Sequence, residues 1–198
     1  MAVRAFVFDV GETLIDETGL WERAADAAGV PRFTLMGVLG GLAARGEHHS
    51  SVWEILGADP PASTWGPDDF YPDALPCLAR LRSQGFLVGA VGNTPVETEE
   101  LLRQHVDLVG SSGRWGVEKP APEFFGRIVD VSGFSAEEIA YVGDRVDNDI
   151  RPAIEAGMLA VHVRRGPWGY LYDAPPRAIP IHSLAELPEA LGVEAQRA

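Results

Sequence analysis

Short apolar runs rich in β-branched and aromatic residues recur along the chain: VRAFVFD (3–9), FLVGAV (86–91), VDLVG (106–110), IAYVGD (139–144) and LAVHV (159–163). Between them the apolar positions fall at helical spacing, which predicts helices over about 18–29, 32–45, 49–57, 73–84, 95–105, 121–132, 147–156 and 183–191. A further short strand, AIPIH, precedes the last helix. Near-continuously apolar strands that alternate with helices describe a parallel sheet covered on both faces, so the expected fold class is α/β.

The alternation fails once. The first three helices follow one another with no strand between them, so residues 16–70 read as a helical insertion after the first strand. The insertion ends in ADPPASTWGPDDFYPDA, where Pro, Asp and Gly turn the chain back toward the sheet. No internal repeat or low-complexity tract interrupts this pattern.

Composition narrows the function classes. A chain of 198 residues with 46% apolar and 23% charged positions is an ordinary globular protein with room for one domain and a small insertion. Its 29 acidic residues against 16 basic ones give a formal charge of −13, which repels phosphate backbones and anionic lipid. Neither nucleic acid nor membrane is therefore expected as a partner, and no apolar run approaches the ~18 residues of a membrane helix. A lone Cys77 forms no internal disulfide, and the N-terminus lacks a basic segment followed by an apolar stretch. The expected localisation is cytoplasmic.

In doubly wound sheets, ligands bind beyond the carboxyl ends of the strands. The first strand delivers Asp9 there, and the second delivers Gly92, Asn93 and Thr94. The IAYVGD strand delivers Asp144, followed by Asp147 and Asp149, and VEKPAPEFF sets Lys119 just ahead of a proline-started helix. Each residue has an ordinary alternative. A strand-end Asp is commonly a turn residue, and Asp147 and Asp149 also suit the first turn of a helix.

Taken in order, FVFDVGET, VGAVGN, EKP and YVGDRVDND resemble the four motifs of the haloacid dehalogenase-like hydrolase superfamily, over residues 3 to about 166. The resemblance implies a Rossmann-like parallel sheet flanked by helices, with residues 1–15 and 71–198 as the core and 16–70 as a small α-helical cap. It implies Mg²⁺ held by Asp9, the Gly11 backbone carbonyl and Asp144, with Asp149 in support. Asp9 is then the nucleophile that forms an aspartyl phosphate. Lys119 neutralises the phosphate, and Gly92, Asn93, Thr94 and Lys119 surround it. The implied partner is a small phosphorylated metabolite, and the chain is a monomer or homodimer.

Two positions depart from that pattern. Gly11 stands where phosphatases of the superfamily carry a second Asp, the general acid and base, and Gly92 stands where Ser or Thr is usual. A backbone carbonyl survives the first change, so metal binding is separated from proton transfer. General acid–base catalysis contributes about 10²–10⁴-fold, and good leaving groups such as acyl or aryl phosphates need it least. Glu12 is the neighbouring acid, but adjacent side chains of an extended segment point apart, so it is expected to face solvent. Asp placed at position 11 asks whether the missing acid limits turnover.

Two rival readings follow. Asp9 attacks carbon, as in the superfamily's dehalogenases, or the fold binds a phosphorylated ligand or a protein without turning it over. In the insertion, Arg32, Arg45, His48, His49 and Trp53 either select substrate or form a solvated face. Adjacent His48 and His49 do not share a helix face, so no zinc site is expected. Trp168, Tyr170 and Tyr172 are expected in a late loop, packed on the sheet edge or a partner subunit rather than on substrate.

Overall fold

The computed structural model describes residues 2–192. Met1 and residues 193–198, the outer ends of the expected core segments, lie outside the described residues. The six strands are β1 (Ala5–Phe8), β2 (Leu87–Gly92), β3 (Leu108–Ser111), β4 (Ile139–Gly143), β5 (Leu159–Val163) and β6 (Ile179–Ile181). They form one sheet in the order β3-β2-β1-β4-β5-β6, with every pairing parallel. The chain builds outward from β1 to β3, then crosses back to β4 and builds the other way. Strand order therefore reverses at β1, where an open parallel sheet leaves a crevice at its carboxyl ends.

Side chains alternate across this sheet. Phe6 and Phe8 join Val88, Ala90, Val142 and Val161 in one core, while Ala5 and Val7 join Val91, Tyr141 and Ala160 in the other. Each face needs a cover. Helix α4 (Ala74–Ser83; α1–α3 are given below) seals the first with Ala74, Cys77, Leu78 and Leu81, a single stripe at helical spacing. A later helix, Pro122–Ser132, seals the second with Phe124, Phe125 and Ile128. Fully burying one such large side chain contributes about 1.5–3 kcal/mol, so sheet and covering helices are held as one unit.

Between the first strand and α4 the chain leaves the sheet. Ile15 and Phe70 pair in an antiparallel bridge at the root of this excursion. Helices α1 (Thr18–Ala28), α2 (Arg32–Arg45) and α3 (Ser51–Leu56) lie between them and bury their own cluster of Ala25, Leu35, Leu39, Leu42 and Val52. None of these residues belongs to either sheet core.

The remaining helices are α5 (Thr98–Arg103), α6 (Ser112–Trp115), α7 (Pro122–Ser132), α8 (Arg151–Glu155), α9 (Gly166–Leu171) and α10 (Leu187–Ala190). Helix α6 lies where none is expected, and three other segments differ from expectation. The helix expected over 147–156 is split into a π-helical turn, Val146–Ile150, and α8. The helix expected over 49–57 starts later because His48–Ser50 form a turn in which the His48 ring accepts from the Ser50 N–H. Of the aromatic residues assigned to a late loop, Trp168 and Tyr170 instead lie in α9, which opens with Pro167 in its first turn, and Tyr172 follows it in extended backbone. They do not cluster: Trp168 is buried, Tyr170 is 62% exposed, and the Tyr172 hydroxyl donates to the Ala43 carbonyl of α2. No helix of the described residues is long and apolar enough to cross a membrane.

Candidate active site

The reversal of strand order at β1 brings the ends of β1, β2 and β4 together. Asp9 follows β1, Gly92 ends β2 and Asp144 follows β4. The π-helical turn after Asp144 carries Asp149 back over the end of its own strand. Gly143 makes that possible, since a Cβ at this position would lie 2.6 Å from Asp149 Cβ. Oxygen atoms of Asp9, Asp144 and Asp149 all lie within 4.8 Å of one another, and all three residues are buried.

Lys119 enters this group from the loop before α7. Its Nζ lies 2.5 Å from both Asp9 Oδ1 and Asp149 Oδ1, with only 3% of the residue exposed. Asn93 fixes the backbone that carries it. The Asn93 Nδ2 donates to the Lys119 carbonyl at 2.9 Å, and the Lys119 N–H donates to Asn93 Oδ1 at 2.7 Å. The Asn93 amide is thus committed chiefly to holding Lys119. Asp149 also accepts from the Tyr141 hydroxyl and the Arg145 N–H, while His162 Nε2 donates to the Asp144 carbonyl.

Burial and crowding set the charges. Asp9 is raised to about 6, by burial first, with Lys119 pulling it down and Asp149 pushing it up. Burial and the charges of Asp149 and Asp9 push Asp144 well above the usual carboxylate range. Burial opposes the Lys119 charge, but Asp149 and Asp9 outweigh it, so its pKa is raised and it stays an ammonium ion. Three clustered carboxylates against the one ammonium that touches them form an anionic, oxygen-only donor set, which suits a hard divalent cation.

Asp9, Asn93, Lys119 and Asp144 line a cavity of about 560 Å³. Thr94, His48, His49 and Trp168 are also on its wall, as is Asp147, which pairs with Arg145 at 2.7 Å. The other insertion candidates are elsewhere. Arg32 pairs with Asp26 and Glu22, Arg45 pairs with Glu47, and Trp53 packs on the α1–α3 cluster.

Glu12 corrects the sequence reading. It is buried rather than solvent-facing, because its φ of 50° turns it back into the fold. There it accepts from the Tyr71 hydroxyl at 2.6 Å and the Glu17 N–H at 3.1 Å. Sequence reasoning missed Glu17 altogether. A Cβ built on Gly11 would lie 2.6 Å from Glu17 Oε1, so this carboxyl fills the volume that a side chain at position 11 would take. Burial, and then the Glu12 charge, raise Glu17 to about 8. The available signal was a glycine beside the Asp9 strand end with an acid six residues on, but the chain reversal that joins them is not written in any local pattern.

Residues 3–157 match the family model described as haloacid dehalogenase-like hydrolase. Over 102 residues the chain is 44% identical to a glyceraldehyde 3-phosphate phosphatase of Methanopyrus kandleri, covering 48% of this chain and 44% of that protein. It is 37% identical over 123 residues to the enzyme of that name in Methanocaldococcus jannaschii, covering 59% and 54%. The chain thus spans about half the length of the curated relatives it matches. Among solved structures, an HAD phosphatase from Thermococcus onnurineus superposes with a TM-score of 0.65 at 22% identity, covering 98% of this chain and all of that one, a likeness of fold.

Proposed function

The chain belongs to the haloacid dehalogenase-like hydrolase family, and from that premise we propose that it hydrolyses a small phosphomonoester by way of a phosphoryl group carried on Asp9. The observation that carries this reading is the buried set of Asp9, Asp144 and Asp149 around the Lys119 ammonium, at the crevice of the sheet.

Asp9, the Gly11 carbonyl and Asp144 are the groups that would hold Mg²⁺, with Asp149 supporting them. Bound there, Mg²⁺ supplies positive charge against the phosphate oxygens and the crowded carboxylates. The chain's own residues do the rest. Lys119 holds Asp9 ionised and presents a cation to the phosphate. Thr94, the remaining N–H of Asn93 and the amides after β2 donate to its oxygens, with Gly92 leaving them room. Asp9 attacks phosphorus, displaces the alcohol oxygen and becomes a mixed anhydride that water then cleaves.

Residues 16–70 act as a cap on a core of 1–15 and 71–198, and His48, His49 and Trp168 close the cavity over the substrate. A cavity of about 560 Å³ suits a soluble metabolite. The relatives named as glyceraldehyde 3-phosphate phosphatases support a substrate of that size. The single buried cysteine, Cys77, supports a cytoplasmic setting.

The test is hydrolysis of acetyl phosphate and p-nitrophenyl phosphate with Mg²⁺ and with EDTA, in the starting protein and Asp9→Asn. The expected result is Mg²⁺-dependent phosphate release that Asp9→Asn lowers at least about 10³-fold, the scale of losing a covalent nucleophile. Release that survives Asp9→Asn overturns the reading, and so does the absence of release from either compound.

A further inference from the structure

Gly11 leaves the site without an acid at the position where phosphatases of this kind carry one, yet a carboxyl group is present in that volume. It arrives from a different residue. After β1 the chain reverses tightly, with the Leu14 and Ile15 N–H groups both donating to the Val10 carbonyl at 2.9 Å. The Glu17 N–H then docks on Glu12, and the Glu17 side chain lies against Gly11, its Oε1 at 2.6 Å and its Cδ at 3.2 Å from where a Cβ on Gly11 would be. Gly11 and Glu17 therefore compete for one volume: a side chain at position 11 requires the Glu17 carboxyl to move from where it lies.

The ordinary task of an acid at the start of a helix is to cap it. Glu17 does not perform it. Glu17 is the N-cap residue of α1, but its side chain makes no capping bond, and the Thr18 N–H is taken by Asp16 Oδ1 at 2.9 Å. Instead Trp21 Nε1 donates to Glu17 Oε2 at 3.2 Å, which fixes the carboxyl by one oxygen. Oε1, the oxygen beside Gly11, accepts no hydrogen bond among the described residues, and no Lys or Arg pairs with Glu17 there. The side chain lies on the wall of the cavity that also holds Asp9 and Lys119. A carboxyl anchored by one oxygen, with the other free beside Gly11 on the wall of the cavity that Asp9 lines, suits a proton-transfer group.

We propose that Glu17 is the general acid and base of this site, in the place left empty at Gly11. This assignment rests on the reading of Asp9 as the phosphoryl acceptor. In the first step Asp9 Oδ attacks phosphorus, the bond from phosphorus to the alcohol oxygen breaks, and that oxygen leaves with the Glu17 proton as the free alcohol. Glu17 is left as a carboxylate. In the second step Glu17 takes a proton from the water that attacks the phosphoryl group, the bond from phosphorus to Asp9 breaks, and inorganic phosphate departs. Asp9 is again a carboxylate and Glu17 again an acid. The site is then a rearranged phosphatase rather than an impaired one.

The experiment compares an aryl phosphate with an alkyl phosphate in the full chain with Mg²⁺. p-Nitrophenolate leaves without a proton, whereas the alcohol of glycerol phosphate does not. Glu17→Gln keeps the size and the acceptor for Trp21 but transfers no proton. It is expected to lower kcat/KM for glycerol phosphate by about 10²–10³-fold and for p-nitrophenyl phosphate by less than about tenfold. Because the second step also lacks its base, p-nitrophenolate appears in a burst of one equivalent per chain before slow turnover. A merely structural role produces neither the split nor the burst.

The second arm moves the carboxyl back. Gly11→Asp alone is expected to lower activity, since the new side chain meets Glu17. Gly11→Asp with Glu17→Ala is expected to recover at least about tenfold of the glycerol phosphate turnover lost in Glu17→Gln. Equal losses on both substrates without a burst, or glycerol phosphate turnover kept within about threefold in Glu17→Gln, overturn the assignment while the Asp9 reading stands. No Asp9-dependent release from either compound by the starting protein removes both.

Discussion

At the scale of single residues, the site is an argument about which charge is indispensable. Lys119 is enclosed with Asp9 and Asp149 at 2.5 Å from each, so taking it away leaves two buried carboxylates with no cation on them. Breaking a buried pair in this way costs about 3–5 kcal/mol. Removing Asp149 instead leaves Lys119 its partner Asp9 and relieves the repulsion that Asp149 exerts on Asp9 and Asp144. Urea unfolding in EDTA is therefore expected to rank Lys119→Met as clearly less stable than Asp149→Asn; the reverse order means that the ammonium is not what holds the carboxylates together. Asp9, Asp144, Asp149 and Lys119 were legible in the sequence because each follows or precedes a regular element that aims it at one crevice. Glu17 was not, because its place depends on the reversal through Val10 and Ile15 and on the missing side chain at Gly11. Glu12 was misread for the same reason, its left-handed backbone being a product of that reversal.

At the scale of elements, the three helices between the first strand and α4 stand apart from the sheet in their packing. Leu42 is fully buried in the α1–α3 cluster, which shares no residue with either sheet core. Leu42→Ala is expected to cost about 2–5 kcal/mol of stability in that segment. Hydrogen exchange should locate the loss in α1–α3 and leave amide protection in β1, β2 and β4 unchanged. Equal loss of protection in the strands means that the α1–α3 segment and the sheet open as one unit. All six strands were legible, since each is a short run of mostly apolar residues bounded by turn residues, and β1 and β4 are buried along their whole length. Short helices were not: α6 spans Ser112–Trp115 and α9 spans Gly166–Leu171, too few residues for a helical period to show. α9 also opens with Gly and Pro, which read as a loop although Pro suits a first turn.

At the scale of the molecule, the insertion and the sheet meet over the cavity through His49, whose ring stands edge-on to Trp168 at 6.5 Å. Burial, then the charges of His48 and Arg145, lower its pKa from 6.5 to about 4. The unfolded chain binds that proton below pH 6.5 and the folded one does not, so this contribution to stability is lost as pH falls from 6.5 toward 4. Glu17 and Asp9 act with the opposite sign. Their raised values, about 8 and about 6, make the folded state bind protons that the unfolded state has released, so they favour the fold as pH falls through that range. The pH profile of the whole protein is therefore flattened by opposing groups, and His49 is visible only as a difference. Going from pH 7 to pH 5, the shift corresponds to about 2 kcal/mol, reduced to about 1 kcal/mol because the ring is partly exposed. His49→Gln carries its packing loss at both pH values, so that loss cancels in the comparison. The melting temperature of the starting protein is expected to fall between pH 7 and pH 5 by about 2–4 °C more than that of His49→Gln. Equal changes in the two proteins mean that the contact between insertion and sheet admits a charged imidazole, in which case His49 is positioned to meet an anionic substrate instead of merely closing the cavity over it.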